Sequence, residues 1–398
     1  MNPTVGLVGK PSVGKSSFFN VSTMNSVPEA EYPFTTVEPN IGEAYVSVKC
    51  PAEEFGKTCD PRTGFCRKNK RFVPIKLFDV AGLIPGAHKG KGLGNQFLSD
   101  LNEADVLVHI VDFSGKTDIE GEPTEDHDPR EDIDFLEEEL DMWYLDILEK
   151  GLEKFKKQRH DKKPLDETLA EQMSALKVKK SMVKRCLSEK DLNKKPSEWT
   201  EKQKISVANF LRKESKPMVI AANKMDTEDA KKNFEEISKE DKYEHLEIIP
   251  VSVHAEKALK KADEKNLVEY IPGSKSFDIR GDISKKQKEG LENIESFLKK
   301  YGGTGVQKVL EKALLDELGL IPIFPVGTEG LTDEKGNVLP DCFLVPEGIK
   351  AREFAFHVHS DFGENFLYAV DKRTERRKGA DSELKSGDIV QIVCSSKK

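Results

Sequence analysis

The sequence predicts an α/β protein: a doubly wound, mostly parallel sheet, interrupted by a charged helical insertion and followed by a small α+β domain. Three observations carry this. Short apolar runs separated by helix-length segments fill the first 115 residues and resume at Met218. Between them lies a stretch with no strand rhythm whose charge swings from acidic to basic. After Leu318 the pattern changes again, to strand, turn, helix and strand in quick succession. With 398 residues the chain is too long for one core, so two or three domains are expected.

Val5–Val8, Ile75–Phe78 and Val106–Val111 read as buried strands, continued by Met218–Ala222 and Ile248–Val251. They make residues 1–117 and 216–320 two parts of one domain, the second with connecting helices. Residues 118–215 form the insertion. Its segment 117–150 carries 15 acidic and 2 basic side chains, whereas 151–215 carries 18 basic and 10 acidic. Ile133, Leu136, Leu140, Trp143, Tyr144, Ile147 and Leu148 share one helix face. Helix-compatible sequence at Leu165–Cys186 and Trp199–Phe210 completes a helical hairpin, coiled-coil-like though its heptads are imperfect. The charges read as solvated helix faces; the functional alternative is a lever that touches a large partner. In the tail, 321–398, Ile321–Val326 reads as an edge strand because proline cannot donate to a ladder. Cys342–Val345, a helix at Ala351–His359 and strands at Phe366–Val370 and Asp388–Val393 follow.

The net charge is −8, from 63 Lys+Arg and 71 Asp+Glu. That argues against blanket coating of nucleic acid and leaves room for a local basic patch. No apolar run approaches the ~20 residues of a membrane helix. The opening residues lack the basic-then-apolar pattern of a signal peptide. Six cysteines without a C-x-x-C pair make no disulfide framework. A cytoplasmic protein without a membrane partner is expected.

Gly9-Lys10-Pro11-Ser12-Val13-Gly14-Lys15-Ser16, followed by Ser17, fits G-x-x-x-x-G-K-[ST] between a strand and a helix start. Glycines let successive N–H groups turn toward phosphate oxygens, and the helix N-terminus adds positive potential. Lys15 is expected to reach the β- and γ-phosphates, and Ser16 to ligate Mg²⁺. Asp79-Val80-Ala81-Gly82 ends a strand: Asp79 suits Mg²⁺ through water, and the Gly82 N–H suits the γ-phosphate. Asn223-Lys224-Met225-Asp226 ends another. There the Asp226 carboxylate can accept from guanine N1–H and its exocyclic amine, donors that adenine does not offer in that arrangement. Ser252-Val253 follows the next strand, where a backbone N–H can meet the guanine oxygen.

These motifs resemble the translation-factor-like GTPases, and within them the Obg group. Tyr32-Pro33-Phe34-Thr35-Thr36, then Glu38-Pro39-Asn40, is similar to that group's first switch. By that resemblance Thr36, with Thr35 as runner-up, senses Mg²⁺ and the γ-phosphate. Gly82–Gly86 and Lys89–Asn95 are similar to the glycine-rich second switch. The insertion and tail narrow the resemblance to the YchF subfamily, archaeal type, across essentially the whole chain. On Gly348, Ala351–Ala355, His357–Asp361 and Leu384–Val393 the tail resembles a TGS domain, a β-grasp-like module. The resemblance implies a P-loop GTPase fold, slow Mg²⁺-dependent hydrolysis of GTP to GDP and phosphate, and a ribosome or ribosomal or transfer RNA partner. Three rivals stand beside it: an ATPase, an RNA- or ribosome-binding adaptor that barely hydrolyses its nucleotide, and an unrelated small-molecule kinase, for whose acceptor pocket the sequence shows no feature.

The chain departs from such families in places. Leu83 stands where Ras-type enzymes carry a water-orienting glutamine. His127, or after it His88, is the candidate to position water instead. Ser12 occupies the position of an asparagine that serves potassium-dependent relatives, which weakens the expectation of K⁺ as a cofactor. YchF members known for accepting ATP depart from N-K-x-D, whereas this chain keeps Asp226, so guanine preference is expected. Cys50, Cys59 and Cys66 cluster in a loop-like stretch; no nearby histidine completes a zinc site, and free thiols are the plainer expectation. Lys372, Arg373, Arg376, Arg377 and Lys378 form the densest basic run, a candidate tip for gripping RNA phosphates against the alternative of a solubilising hairpin.

Overall fold

The computed structural model describes residues 2–23, 40–80, 101–157, 163–192, 196–327, 330–333 and 335–395. The main sheet has seven strands. β1 (Thr4–Val8), β2 (Asn40–Lys49), β3 (Phe65–Arg67), β4 (Lys70–Asp79), β5 (Val106–Asp112), β6 (Met218–Asn223) and β7 (Glu247–Pro250) run in the order β2-β4-β1-β5-β6-β7, with β3 beside β4. The β4-β1-β5-β6-β7 pairings are parallel, and β2 and β3 join β4 antiparallel. β1 and β5 are buried along their whole length, as apolar parallel strands covered on both faces must be. β1 lies between β4 and β5, so the chain reverses its direction of travel across the sheet at β1's carboxyl end, where such folds bind ligands.

Sequence reading missed β2. Its signal was an alternation: Gly42, Ala44, Val46 and Val48 are buried and Glu43 and Lys49 exposed.

Among its described residues the insertion holds four α-helices: α2 (Pro129–Lys157), α3 (Leu165–Gln172), α4 (Lys180–Glu189) and α5 (Glu201–Ser215). It is a small bundle, not a bare hairpin. Near its start α2 packs Ile133, Leu136 and Leu140 against the sheet; beyond them Tyr144, Leu148 and Leu152 join the bundle's own core. The two halves of opposite charge complement each other. Buried Arg212 pairs with Glu137 at 2.7 Å and Asp141 at 2.8 Å, and Lys204 pairs with Glu149 at 2.7 Å. These pairs set α5 antiparallel to α2. The expectation that the charges are only solvated faces is corrected here, because a guanidinium in the interior needs carboxylate partners.

His109 on β5 shares the sheet face of Leu107 and Val111, beneath α2. Burial holds its imidazole pKa down at about 4, with Asp132 and Glu137 opposing and Lys10 assisting. The unfolded chain takes up this proton near pH 6.5, so stability is full above that pH and is lost as pH falls from 6.5 toward 4. The loss should reach roughly 3 kcal/mol. Thermal melts of wild type and His109→Leu across that range check it: the variant should show the flatter pH dependence.

After α6 (Glu228–Ile237), α7 (Val253–Glu264), a two-stranded ribbon and α8 (Lys285–Tyr301), helix α9 (Val306–Glu311) leads through a π-helical turn into the tail. Its sheet, numbered on from the ribbon's β8 (Val268–Glu269) and β9 (Asp278–Ile279), holds β10 (Leu320–Val326), β11 (Phe343–Pro346), β12 (Phe366–Asp371), β13 (Arg376–Lys378) and β14 (Ile389–Cys394). The order β11-β10-β14-β12-β13 makes β10 internal, correcting its reading as an edge strand. Leu320–Ile323 pair with β11 and Phe324–Val326 with β14. Each half therefore has its ladder on one side, which leaves room for Pro322 and Pro325. Helix α10 (Ala351–Val358) packs Phe354 into this domain's core. Phe324, Val326, Leu339 and Cys342 instead join the core of the main sheet, so the two domains share one apolar cluster. No helix among the described residues is long and apolar enough to cross a membrane.

Candidate nucleotide site

Beyond β1 the backbone turns through Gly9 (φ 150°), Ser12 (φ 63°) and Gly14 (φ 96°). A Cβ on Gly9 would lie 2.5 Å from the Ile110 carbonyl oxygen, and one on Gly14 would lie 2.5 Å from Asn223 Nδ2. Glycine is therefore required at both positions, by conformation and by space. Helix α1 (Lys15–Ser22) starts with no side-chain cap, which leaves its first N–H groups for phosphate oxygens. The Ser12 hydroxyl is buried without a hydrogen-bond partner among the described residues.

Ser16 Oγ donates to Asp79 Oδ2 at 2.9 Å, and Lys15 Nζ lies 3.1 Å from Asp79 Oδ1. Asp79 is fully buried at the end of β4. A hydroxyl and a carboxylate side by side are the hard oxygen donors that Mg²⁺ takes, so the residues fit that ion. Ser16 and Asp79 would hold such an ion, whose positive charge would offset the negative charge of phosphate oxygens beside the loop.

Asn223 ties the loop after β1 to the start of α7 (Val253–Glu264). Its Nδ2 donates to the Val13 carbonyl at 2.8 Å, and its Oδ1 accepts from Val253 N at 3.3 Å. Lys224, at φ 63°, donates to Asp112 at 2.8 Å. The exposed Asp226 accepts at one oxygen from Ser252 Oγ at 2.8 Å. Buried Ser252 also caps α7 by accepting from Ala255 N at 3.1 Å, so the hydroxyl that aims Asp226 is itself fixed. A cavity of about 840 Å³ begins at Asp226 and His254 and runs between α7 and α8; the phosphate loop does not line it.

Three residues that sequence reasoning missed surround this frame. Asp112, fully buried, accepts from Ser114 Oγ, Thr117 Oγ1 and Lys224 Nζ. Burial pushes its carboxyl up, but Lys224 and the two hydroxyls outweigh that and hold it below its ordinary value. Thr117, whose hydroxyl donates to Asp112, accepts through its carbonyl from Lys10 Nζ at 2.7 Å. Lys10 also pairs with Asp132 of α2 at 2.8 Å, with both side chains almost fully buried. Burial lowers the Lys10 pKa against the pull of Asp132. The Lys10 side chain is thus spent inside the protein. Asp132 and Thr117 carried no motif; only the unusual lysine inside the loop hinted at a partner.

His127 completes this chain. Its Nε2 lies 2.9 Å from the other Asp132 oxygen, and Nδ1 is 3.8 Å from Glu131. Among the described residues the ring is tied to carboxylates and reaches the phosphate loop through Asp132. Thr35, Thr36, Gly82, Leu83 and His88 lie outside the described residues.

The basic run forms the β12–β13 hairpin, and most of it is engaged. Lys372 binds Glu375, Arg373 binds Glu54 at 2.7 Å, Lys378 binds Asp388 at 2.9 Å, and the Arg377 guanidinium lies 4.3 Å from the Tyr368 ring centre. Arg376 is exposed.

Three family models match in sequence order. A 50S ribosome-binding GTPase model covers residues 4–150, the G4 motif-containing domain of YGR210-like Obg-like GTPases covers 221–328, and a TGS domain covers 332–394. A GTP-binding protein of Methanocaldococcus jannaschii is 44% identical, over 99% of both chains. The crystal structure of a GTP-binding protein from Pyrococcus horikoshii matches with a TM-score of 0.77 and 37% identity, over 98% of this chain and 100% of that one. A protein of Buchnera aphidicola named ribosome-binding ATPase YchF is 29% identical, over 98% of both chains. With a phosphate loop on β1, an Asn-Lys-Met-Asp base motif on β6 and a TGS domain in the tail, the chain belongs to the YchF/Obg-like family of P-loop GTP-binding proteins.

Proposed function

We propose that this protein hydrolyses GTP slowly to GDP and phosphate with Mg²⁺, and acts in the cytoplasm as a nucleotide-controlled switch on the ribosome. The observation that carries the guanine assignment is Asp226, held at one oxygen by Ser252 and, among the described residues, open at the other. Adenine would leave that carboxylate without its two donors, a costly mismatch. Lys15, Ser16 and Asp79 supply the phosphate and metal contacts, and Thr36 and Gly82 sense the γ-phosphate. Turnover is slow because Leu83 cannot orient water. His127 serves as a positioning residue that holds Asp132 and, through it, the loop.

The YchF relative named a ribosome-binding ATPase supports the ribosome as partner and favours one second reading, ATP hydrolysis. The intact Asn223–Asp226 motif favours guanine over it. Arg376 and Arg377 are the hairpin residues left to meet RNA phosphate, and the surface pairs of Lys372 and Arg373 exchange at little cost.

Single-turnover hydrolysis and ribosome co-sedimentation test this together. GTP should be cleaved, and faster with ribosomes. The chain should sediment with ribosomes more in a non-hydrolysable GTP analogue than in GDP. An Arg376→Glu/Arg377→Glu variant should bind more weakly with a salt slope shallower by about two. Equal sedimentation in every nucleotide state with negligible cleavage would establish the adaptor reading instead.

A further inference from the structure

The three thiols that looked irregular in sequence converge in space. Cys50 follows β2, Cys59 sits in the loop after it, and Cys66 lies on β3. Their Sγ atoms all fall within 4.8 Å of one another. Four thiolates around Zn²⁺ sit ~3.8 Å apart, the tetrahedral edge for a Zn–S bond of ~2.3 Å, whereas a disulfide needs ~2.05 Å between one pair. All six cysteines of the chain are free.

The surroundings are built for a charged cluster. Buried Arg71 donates from Nη1 to Cys59 Sγ at 3.1 Å. A guanidinium N–H on a thiolate is the outer contact that stabilises sulfur ligands and offsets their charge. The same guanidinium donates to the carbonyls of Leu339 at 2.9 Å and Pro340 at 3.0 Å. Backbone bonds from Asp60 to Val338 and from Arg62 to Pro340, each 2.9 Å, stitch the cysteine loop to the tail segment that leads into Cys342. Cys342 lies outside that 4.8 Å group, but it is buried in the same apolar cluster as Cys50, with Cys59 and Cys66 packed against that cluster.

We infer that Cys50, Cys59 and Cys66 form a structural zinc site, closed by an inward shift of Cys342 when the ion binds, that staples the C-terminal domain to the edge of the GTPase sheet. Three ligands come from the β2–β4 region and the fourth from the tail. A closed four-sulfur set has no open position for substrate, so the role is structural. Binding deprotonates the thiols, and their protons pass to solvent. The site lies away from the nucleotide residues and stands independently of the proposed reaction.

The test uses the full chain, purified under reduction without chelator. Elemental analysis should find one zinc per chain. After chelation, Co²⁺ should produce thiolate-to-metal charge-transfer bands and strong tetrahedral d–d bands, which Zn²⁺ then bleaches. Cys59→Ser should lose the zinc, and Cys394→Ser should keep it. Cys342→Ser should weaken and shift the Co²⁺ bands; unchanged bands would overturn the fourth ligand. If Cys59→Ser fails to fold, the wild-type Co²⁺ titration decides alone. A folded, reduced wild-type chain without zinc or thiolate–Co²⁺ bands would overturn the site, as would a disulfide among these cysteines in the purified protein.

Discussion

Asp226→Asn should lower GTP affinity at least about 100-fold and at the same time raise affinity for XTP. Guanine presents N1–H and an exocyclic amine, two donors to one carboxylate. An amide at this position keeps one acceptor and turns a donor toward the base amine, so one contact is lost and one becomes repulsive. Xanthine carries a carbonyl in place of that amine and restores both contacts. Because Asp226 is exposed and bonded only to Ser252 in the described structure, the substitution should leave thermal stability nearly unchanged. Nucleotide titrations beside a melting curve check both halves. An unaltered preference would mean that the base does not reach Asp226.

Asp132→Ala should destabilise the fold by about 3–5 kcal/mol. Lys10 and Asp132 are both nearly excluded from water, and Asp132 also holds His127. Removing the carboxylate leaves a buried ammonium with one carbonyl partner, Thr117. Lys10→Met/Asp132→Leu should recover much of the loss, since it removes both charges instead of stranding one. Urea unfolding measures this through the midpoint, with the slope unchanged. The pair joins the phosphate loop to the first turn of α2, so the same break should separate nucleotide state from the helical insertion. Equal destabilisation in the single and double variants would show that cavity formation, not the stranded charge, sets the cost.

The phosphate loop and the base motif were legible because local backbone demands fix their residues. Gly14 must be glycine on its φ of 96° alone, and the nearby Asn223 adds a second reason. Ser252 was legible for its place after a strand, but its actual work, aiming Asp226, required the fold. Lys10 and His127 were each singled out in the sequence, but their link was not legible, because Asp132 carries no motif and lies far from Lys10 in the chain. The charge imbalance of the insertion was visible as totals; the pairing of Arg212 with Glu137 and Asp141 depends on which helix faces which. The prolines of β10 misled because the edge rule treats a strand as one unit, whereas here each half has a different partner. The cysteines show the reverse lesson: spacing of no regular kind still converges when β3 folds back on β4.

Guanine recognition by Asp226 is the claim on which the proposed function rests, and calorimetric titration with GTP and with ATP, in Mg²⁺, tests it most directly. The expected result is tight GTP binding with ATP weaker by at least about 100-fold. Equal or reversed affinities would contradict it, and would assign the chain to the ATP-using members of its family.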